Sequence, residues 1–259
     1  MLGVAGQAVK EVNEPMTTED TILGGRVQIT QPVTGYRAAI DPVLLAASIN
    51  ARSGEKVLDV GCGVGAAALC LAARLADVGV SGIEVQRDLL RLALQNAQAN
   101  EMTGRVDFMG GNLLAPPPRL TPASFDHTMA NPPFEAAGTG NAPPDGGKAI
   151  ANVEGEARLA DWVSFCLLMV RHKGSVTFIH RADRLDELLA AMCRGLGELV
   201  VFPLWSGNSG KAAKRVLVRG RKGVSAPLAL MPGLVLHGQG GAYTAEAECI
   251  LRDAGPLVL

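Results

Sequence analysis

No run of apolar residues in this sequence reaches the roughly 18 needed for a helix to cross a bilayer. The first residues, Met1-Leu2-Gly3-Val4-Ala5-Gly6-Gln7, lack the basic segment and apolar stretch of a secretory leader, so a cytoplasmic chain is expected. Five cysteines (Cys62, Cys70, Cys166, Cys193, Cys249) include no Cys-x-x-Cys pair, and an odd number suits neither a disulfide framework nor a zinc knuckle. His127, His172, His180 and His237 share no ligand spacing, so they read as packing or surface residues and no metal is expected. Acidic residues are missing altogether between Glu198 and Glu246, where Lys211, Lys214, Arg215, Arg219, Arg221 and Lys222 crowd together. The net charge of −1 argues against a general polyanion binder, yet this stripe is a candidate phosphate-contacting face. A solvated hairpin with Lys and Arg guarding a sheet edge accounts for it equally well.

What is present is ample for a core: 48% of the 259 residues are hydrophobic and 19% charged, as one large domain requires. The expected division is a flexible tail over 1–20 and a single domain over 21–259. Within that domain, 21–53 would form an N-terminal hairpin and helix, 54–222 the core, and 223–259 an extension. Gly24-Gly25 between two β-prone runs predicts a tight hairpin. Asp41-Pro42 predicts a helix start, with aspartate as the cap and proline in the first turn.

From residue 54 strands and helices alternate. Strands are predicted over Lys56–Val60, Val80–Val85, Arg105–Met109, Phe125–Ala130 and Ser175–His180, and helices over Ala66–Leu75 and Asp88–Asn100. A further helix carries Leu159, Trp162, Val163, Cys166, Leu167 and Val170 at helical spacing, with Trp162 read as core. Asp183 is predicted to cap another helix, and Glu198–Leu204 and Arg215–Arg219 to pair as strands without a helix between them. This alternation implies an α/β domain with a mostly parallel sheet and an antiparallel edge. The long Gly-, Pro- and Asn-rich segment Ala136–Lys148 is of a length that is usually functional or disordered.

Two motifs carry chemistry. Asp59-Val60-Gly61-Cys62-Gly63-Val64-Gly65 follows the first core strand and opens a helix, so its backbone can approach a ligand closely while the helix amides favour polar or anionic groups. Glu84 ends the next strand, where a carboxylate can take both ribose hydroxyls of a nucleoside. Gly61-x-Gly63-x-x-Ala66 also fits a dinucleotide fingerprint, which keeps an NAD-dependent oxidoreductase open. Asp59 two residues ahead and glycines at alternate positions favour S-adenosylmethionine (SAM). Cys62 reads as a small filler, since nothing basic beside it in sequence would lower its pKa.

The second motif is Asn131-Pro132-Pro133-Phe134, directly after a predicted strand. Two prolines fix φ and remove two donors, so the strand must stop and leave carbonyls unpaired beside Asn131 and an aromatic. That suits a planar guest bearing an exocyclic amine. If the sheet has the common strand order, both motifs share its C-terminal edge.

Together, in this order, the motifs resemble those of SAM-dependent amino-methyltransferases acting on nucleobases or glutamine. Tyr36-Arg37-Ala38-Ala39-Ile40-Asp41, the glycine-rich segment after Phe134, Lys214-Arg215-Val216-Leu217 and Tyr243-Thr244-x-Glu246 resemble the bacterial valine-tRNA adenine-37-N6 methyltransferases, over roughly residues 21 to 252. The resemblance implies a Rossmann-like fold with a seven-stranded sheet whose last strand is antiparallel. It implies SAM contacts from Asp59, Gly61, Gly63, Gly65 and Glu84, from Gly35, Tyr36 and Arg37 near the methionine portion, and from Asn131. Where such proteins often have Gly-Asp after the third strand, this chain has Gly111-Asn112, which keeps an acceptor oxygen for the adenine amine but loses the charge. Asn131, Pro132, Pro133 and Phe134 are the expected catalytic residues, the basic stripe the RNA contact, tRNA the partner and S-adenosylhomocysteine the product. Guanine-N2 methylation of rRNA, glutamine methylation of a protein, and a silent SAM- or RNA-binding module are the rival readings.

Overall fold

Val57, Leu58 and Val60 have no solvent exposure, as a strand covered on both faces requires. They lie in β3 (Lys56–Val60), the middle of the sheet in a computed structural model of the chain that describes residues 16–34, 37–134, 156–207 and 210–259. Ahead of it come β1 (Thr17–Ile22), β2 (Val27–Pro32) and helix α1 (Ile40–Ser48). After it the chain runs α2 (Ala66–Arg74), β4 (Gly79–Glu84), α3 (Arg87–Ala99), β5 (Val106–Gly110) and β6 (Phe125–Ala130). Then follow α4 (Leu159–Met169), β7 (Val170–Arg181), α5 (Leu185–Met192), β8 (Leu196–Trp205) and β9 (Arg215–Lys222). Short β10 (Ala229–Leu230) and β11 (Leu234–Val235) and helix α6 (Ala245–Asp253) complete it.

The expected seven strands form one sheet in the order β8-β9-β7-β6-β3-β4-β5, all parallel except β9. β10 and β11 each add to β8, making nine. The antiparallel strand is not an edge, as the sequence suggests; β9 is inserted between β7 and β8 and pairs with both. One sheet face is covered by α1, α2 and α3, the other by α4 and α5.

β1 and β2 form a separate antiparallel hairpin whose turn is a short 3-10 segment at Leu23–Gly25. β1 takes in Thr17–Asp20, so part of the expected 1–20 tail is ordered strand; residues 1–15 lie outside the described residues, as do Gly35, Tyr36 and the segment Ala136–Lys148. The free edge of β2 is closed by two side chains of α3. Asn100 exchanges bonds with the amide and carbonyl of Gln28 (2.8 and 2.7 Å), and Asn96 does the same with Thr30 (2.8 and 3.0 Å). Spaced by four residues, the two asparagines share one helix face and act as a substitute strand. Asn96 also donates to the Val64 carbonyl at 3.0 Å, tying the hairpin to the glycine-rich turn.

Asp41 is not the cap of α1. It lies in the first turn and pairs with Arg215 Nε of β9 at 3.0 Å. Asp183 likewise binds Arg181 instead of capping α5. Val170, expected on the helix with Trp162, opens β7 instead. The C-terminal segment returns to the start of the chain, with the Leu257 amide donating to the Ala47 carbonyl at 2.9 Å. Among the described residues no helix is long and apolar enough to cross a membrane.

Candidate active site

β3 and β6 are parallel neighbours with Val60 opposite Ala130, so Gly61 and Asn131 leave adjoining strand ends at the same sheet edge. Both motifs open onto one cavity of about 470 Å³, within the usual range for a small-ligand site. Asp59, Gly61, Gly63 and Glu84 line it together with Asn131, Pro132, Pro133 and Phe134.

The glycine-rich turn is tied to β4. Gly61 and Cys62 donate to the Ile83 carbonyl at 2.9 and 3.0 Å, and the Gly63 amide donates to Glu84 Oε2 at 2.9 Å. Glu84 Oε1 accepts from Gln86 at 2.8 Å. A carboxylate offers about four acceptor positions, so acceptor capacity remains for a ligand. Burial raises the Glu84 pKa, opposed by the amides of Gln86, Gly63 and Val85.

Asp59 is 2% exposed and Oδ2 accepts no hydrogen bond. Burial pushes its pKa up to about 7, against the pull of the Ala68 amide and with a further push from Glu84. A buried carboxylate with one unused oxygen in a cavity wall is suited to a cationic ligand group. The Cys62 thiol is pushed well up by burial and by Asp59 and Glu84, which supports the filler reading.

Gly61 has φ +69°, and a Cβ there would lie 2.3 Å from Cη2 of Trp162. Trp162 packs against the core, as its spacing predicts, but it is only partly buried: its indole also covers the glycine turn and forms a cavity wall. Gly61→Ala is expected to cost about 1–3 kcal/mol from the left-handed φ, with the clash added. Urea unfolding checks this, and an unchanged midpoint would show that the indole gives way. Gly65 (φ +86°) does not line the cavity; its missing Cβ makes room for Phe108.

Two other expected cofactor residues are placed differently. Arg37 does not line the cavity; it binds Asp20 at 2.7 Å, Thr18 at 2.9 Å and the Pro32 carbonyl at 3.0 Å, bracing the hairpin. Asn112 does line it, but Oδ1 accepts from the Leu114 amide at 2.9 Å, so the acceptor foreseen for adenine already closes a turn. Leu113, Leu114, Ile83, Val85 and Leu89 supply apolar walls that the motifs do not announce.

His180, read from sequence as ordinary packing, has no solvent exposure and meets the Phe134 ring edge-on with centroids 5.7 Å apart. Neither ring nitrogen completes a hydrogen bond of ordinary geometry. Burial, and secondarily Arg184, lower its pKa to about 4. It is therefore neutral at pH 7. His127 does have partners, Glu55 at 2.9 Å and Ser175 at 2.7 Å, but they sit at the opposite end of the sheet.

The basic stripe divides. Arg215 lies opposite Arg181 and Leu204 at the cavity end of the sheet, whereas Arg221 lies opposite Ser175 and Gly197. Six residues of strand separate them, about 20 Å. Arg221 binds Glu198 at 3.2 Å and the Lys173 carbonyl. Lys222 Nζ donates to the Leu167 and Val170 carbonyls at 2.7 and 2.9 Å, capping α4. Arg219 is half-buried, and burial lowers its pKa. Lys211 and Lys214 are exposed in the loop before Arg215. Arg181 and Arg184, absent from the sequence reading, join them at the cavity end, paired with Asp183 and Glu187.

Known proteins resemble this chain in sequence and fold. The family model for the methyltransferase small domain matches residues 38–143. A tRNA1(Val) (adenine(37)-N6)-methyltransferase of Aeromonas hydrophila is 27% identical over 209 residues, 80% of this chain and 85% of the relative. An rRNA N(6)-adenosine-methyltransferase of Caenorhabditis elegans is 24% identical over 63% of this chain and 69% of its own length. Among solved structures, one described as a predicted O-methyltransferase from Agrobacterium tumefaciens superposes with a TM-score of 0.70 at 21% identity, covering 85% of this chain and 99% of the other. Fold, family model and relatives agree that the chain is a SAM-dependent methyltransferase.

Proposed function

We propose that the chain transfers a methyl group from SAM to the exocyclic N6 of adenine in RNA, with adenine 37 of a tRNA as the first candidate. One observation carries the reading: the glycine-rich turn and Asn131-Pro132-Pro133-Phe134 face a single cavity at adjoining strand ends. The adenine-N6 activities named for the relatives from A. hydrophila and C. elegans support the choice of base.

The residues present fit the cofactor. Asp59 Oδ2 is a buried acceptor without a partner, Glu84 keeps acceptor capacity for ribose hydroxyls, and Leu113, Leu114 and Val85 offer an apolar slot for a purine. When bound, SAM supplies a methyl group activated by its sulfonium. The chain's part is to position the acceptor. An aromatic amine is a weak nucleophile because its lone pair is conjugated with the ring. Asn131 Oδ1 and the Pro132 carbonyl would accept its two N–H groups and favour a tetrahedral nitrogen, while Phe134 stacks on the base, worth about 1–3 kcal/mol. Alignment of this kind can supply roughly 7–11 kcal/mol without a strong base. The target must leave its stack to enter, which favours a loop nucleotide.

Labelled SAM, total tRNA and rRNA, followed by nucleoside analysis, test the proposal. N6-methyladenosine is the expected product; N2-methylguanosine, or label only in protein, would move the assignment to a rival substrate. Stabilisation on heating by NAD and not by SAM would restore the oxidoreductase reading.

For the RNA face, the expected contacts are Lys211 and Lys214 at the cavity end. Converting both to Glu should weaken RNA binding and reduce the slope of log K against log[salt] by roughly 1–2. Lys222→Met should leave that slope unchanged and lower stability instead. Equal effects on RNA binding from both ends would restore the full stripe.

A further inference from the structure

Phe134 lines the cavity, but the groups that hold its ring do not. The guanidinium carbon of Arg215 lies 4.2 Å from the ring centroid. Arg215 Nε donates to Asp41 Oδ2 at 3.0 Å, and the Arg215 side chain is about one-third exposed. His180 meets the same ring perpendicular to it. Since neither Arg215 nor His180 borders the cavity, the guanidinium covers the outward side of the ring. Asp41 precedes Pro42, which does border the cavity, so the clamp is anchored in the helix turn that closes the site.

We propose that Arg215 is a positioning residue for this site: pinned by Asp41, it backs Phe134 and fixes the plane against which the substrate base stacks. The inference rests on the proposed base-methylating function and gives Arg215 a task other than phosphate contact. A planar guanidinium that stacks on an aromatic while a carboxylate holds its edge is a job specific to arginine, because an ammonium keeps the charge and loses the plane. A small misplacement of the base is enough to matter, since about 1 Å can cost 10²-fold in rate.

The test compares Arg215→Lys, Asp41→Asn and Phe134→Leu, singly and combined, in methyl transfer at saturating RNA. Arg215→Lys is expected to lower kcat by about 10- to 100-fold, with KM for SAM and the salt slope of RNA binding unchanged. Asp41→Asn should act in the same direction, less strongly. In the Phe134→Leu background Arg215→Lys should add no further loss, because the ring it serves is gone. Full activity in Arg215→Lys, a loss confined to RNA affinity, or losses that multiply with Phe134→Leu would each overturn the proposal.

A ligand-free measurement separates the two layers. The Arg215 side-chain protons should resonate upfield from the ring current of Phe134 and move back in Asp41→Asn. If that shift is present and depends on Asp41 while the parent protein methylates no RNA, the substrate reading falls and the clamp stands. Absence of the shift removes the clamp whatever the substrate.

Discussion

Replacing Asp59 by asparagine is expected to raise the stability of the ligand-free protein and to remove SAM binding. Burial pushes the folded-state pKa of Asp59 up to about 7, from an ordinary value of 3.8. A carboxyl whose pKa is raised by folding contributes its full stability below the unfolded value and loses it as pH rises through the folded one. Stability should therefore fall as pH rises from about 4 toward 7. Asparagine keeps an acceptor for the Ala68 amide and does not titrate. The variant should match the parent near pH 4 and exceed it increasingly up to pH 7. A cation meeting Oδ2 reverses the balance by favouring the charged form, so the parent's SAM affinity should climb with pH over the same window. Thermal unfolding from pH 4 to 8 with and without SAM checks both halves. An asparagine variant that binds SAM as the parent does would remove Asp59 from the cofactor site.

The second large effect is expected at Asn131. Asn131→Ala should lower methyl transfer by about 10²–10³-fold, the usual cost of deleting one hydrogen-bonding group aimed at the reacting atoms. SAM binding should persist. Among the described residues little else at this edge could activate an amine: His180 has a pKa near 4 and no ordinary hydrogen bond, and Asp59 belongs to the strand that leads into the glycine-rich turn. Asn131→Asp, which keeps an acceptor oxygen, should retain more activity than the alanine variant. Single-turnover transfer with separately measured SAM affinity distinguishes the possibilities. Lost SAM affinity in Asn131→Ala would make Asn131 a cofactor residue first.

The two motifs were legible in the sequence because each breaks a local rule. Glycine at φ +69° and +86° and a double proline at a strand end mark places where the backbone is constrained, and such marks are read without knowing neighbours. Trp162 breaks no rule. Its helical spacing fits a core position, and only the packing of α4 against the Gly61 turn turns its edge toward the cavity. The basic stripe misled for a geometric reason. Residues crowded along a chain are spread out by an antiparallel strand, and successive side chains alternate between its faces. Arg215 and Lys222 thus end at opposite ends of the sheet, one beside Phe134 and the other under α4. Arg37 and Asp41 stand four residues apart in one stretch, yet their partners, Asp20 and Arg215, lie 17 and 174 residues away.

A single carboxamide, that of Asn96, grips the backbone of β2 and the carbonyl of Val64 at once. Trimming the chain to begin at residue 38, where the recognised family region starts, would strip away the ribbon that takes two of those three bonds. The shortened protein would retain every cavity-lining residue, and weaker SAM binding is the expected result, because the glycine-rich bend would have lost its outer brace.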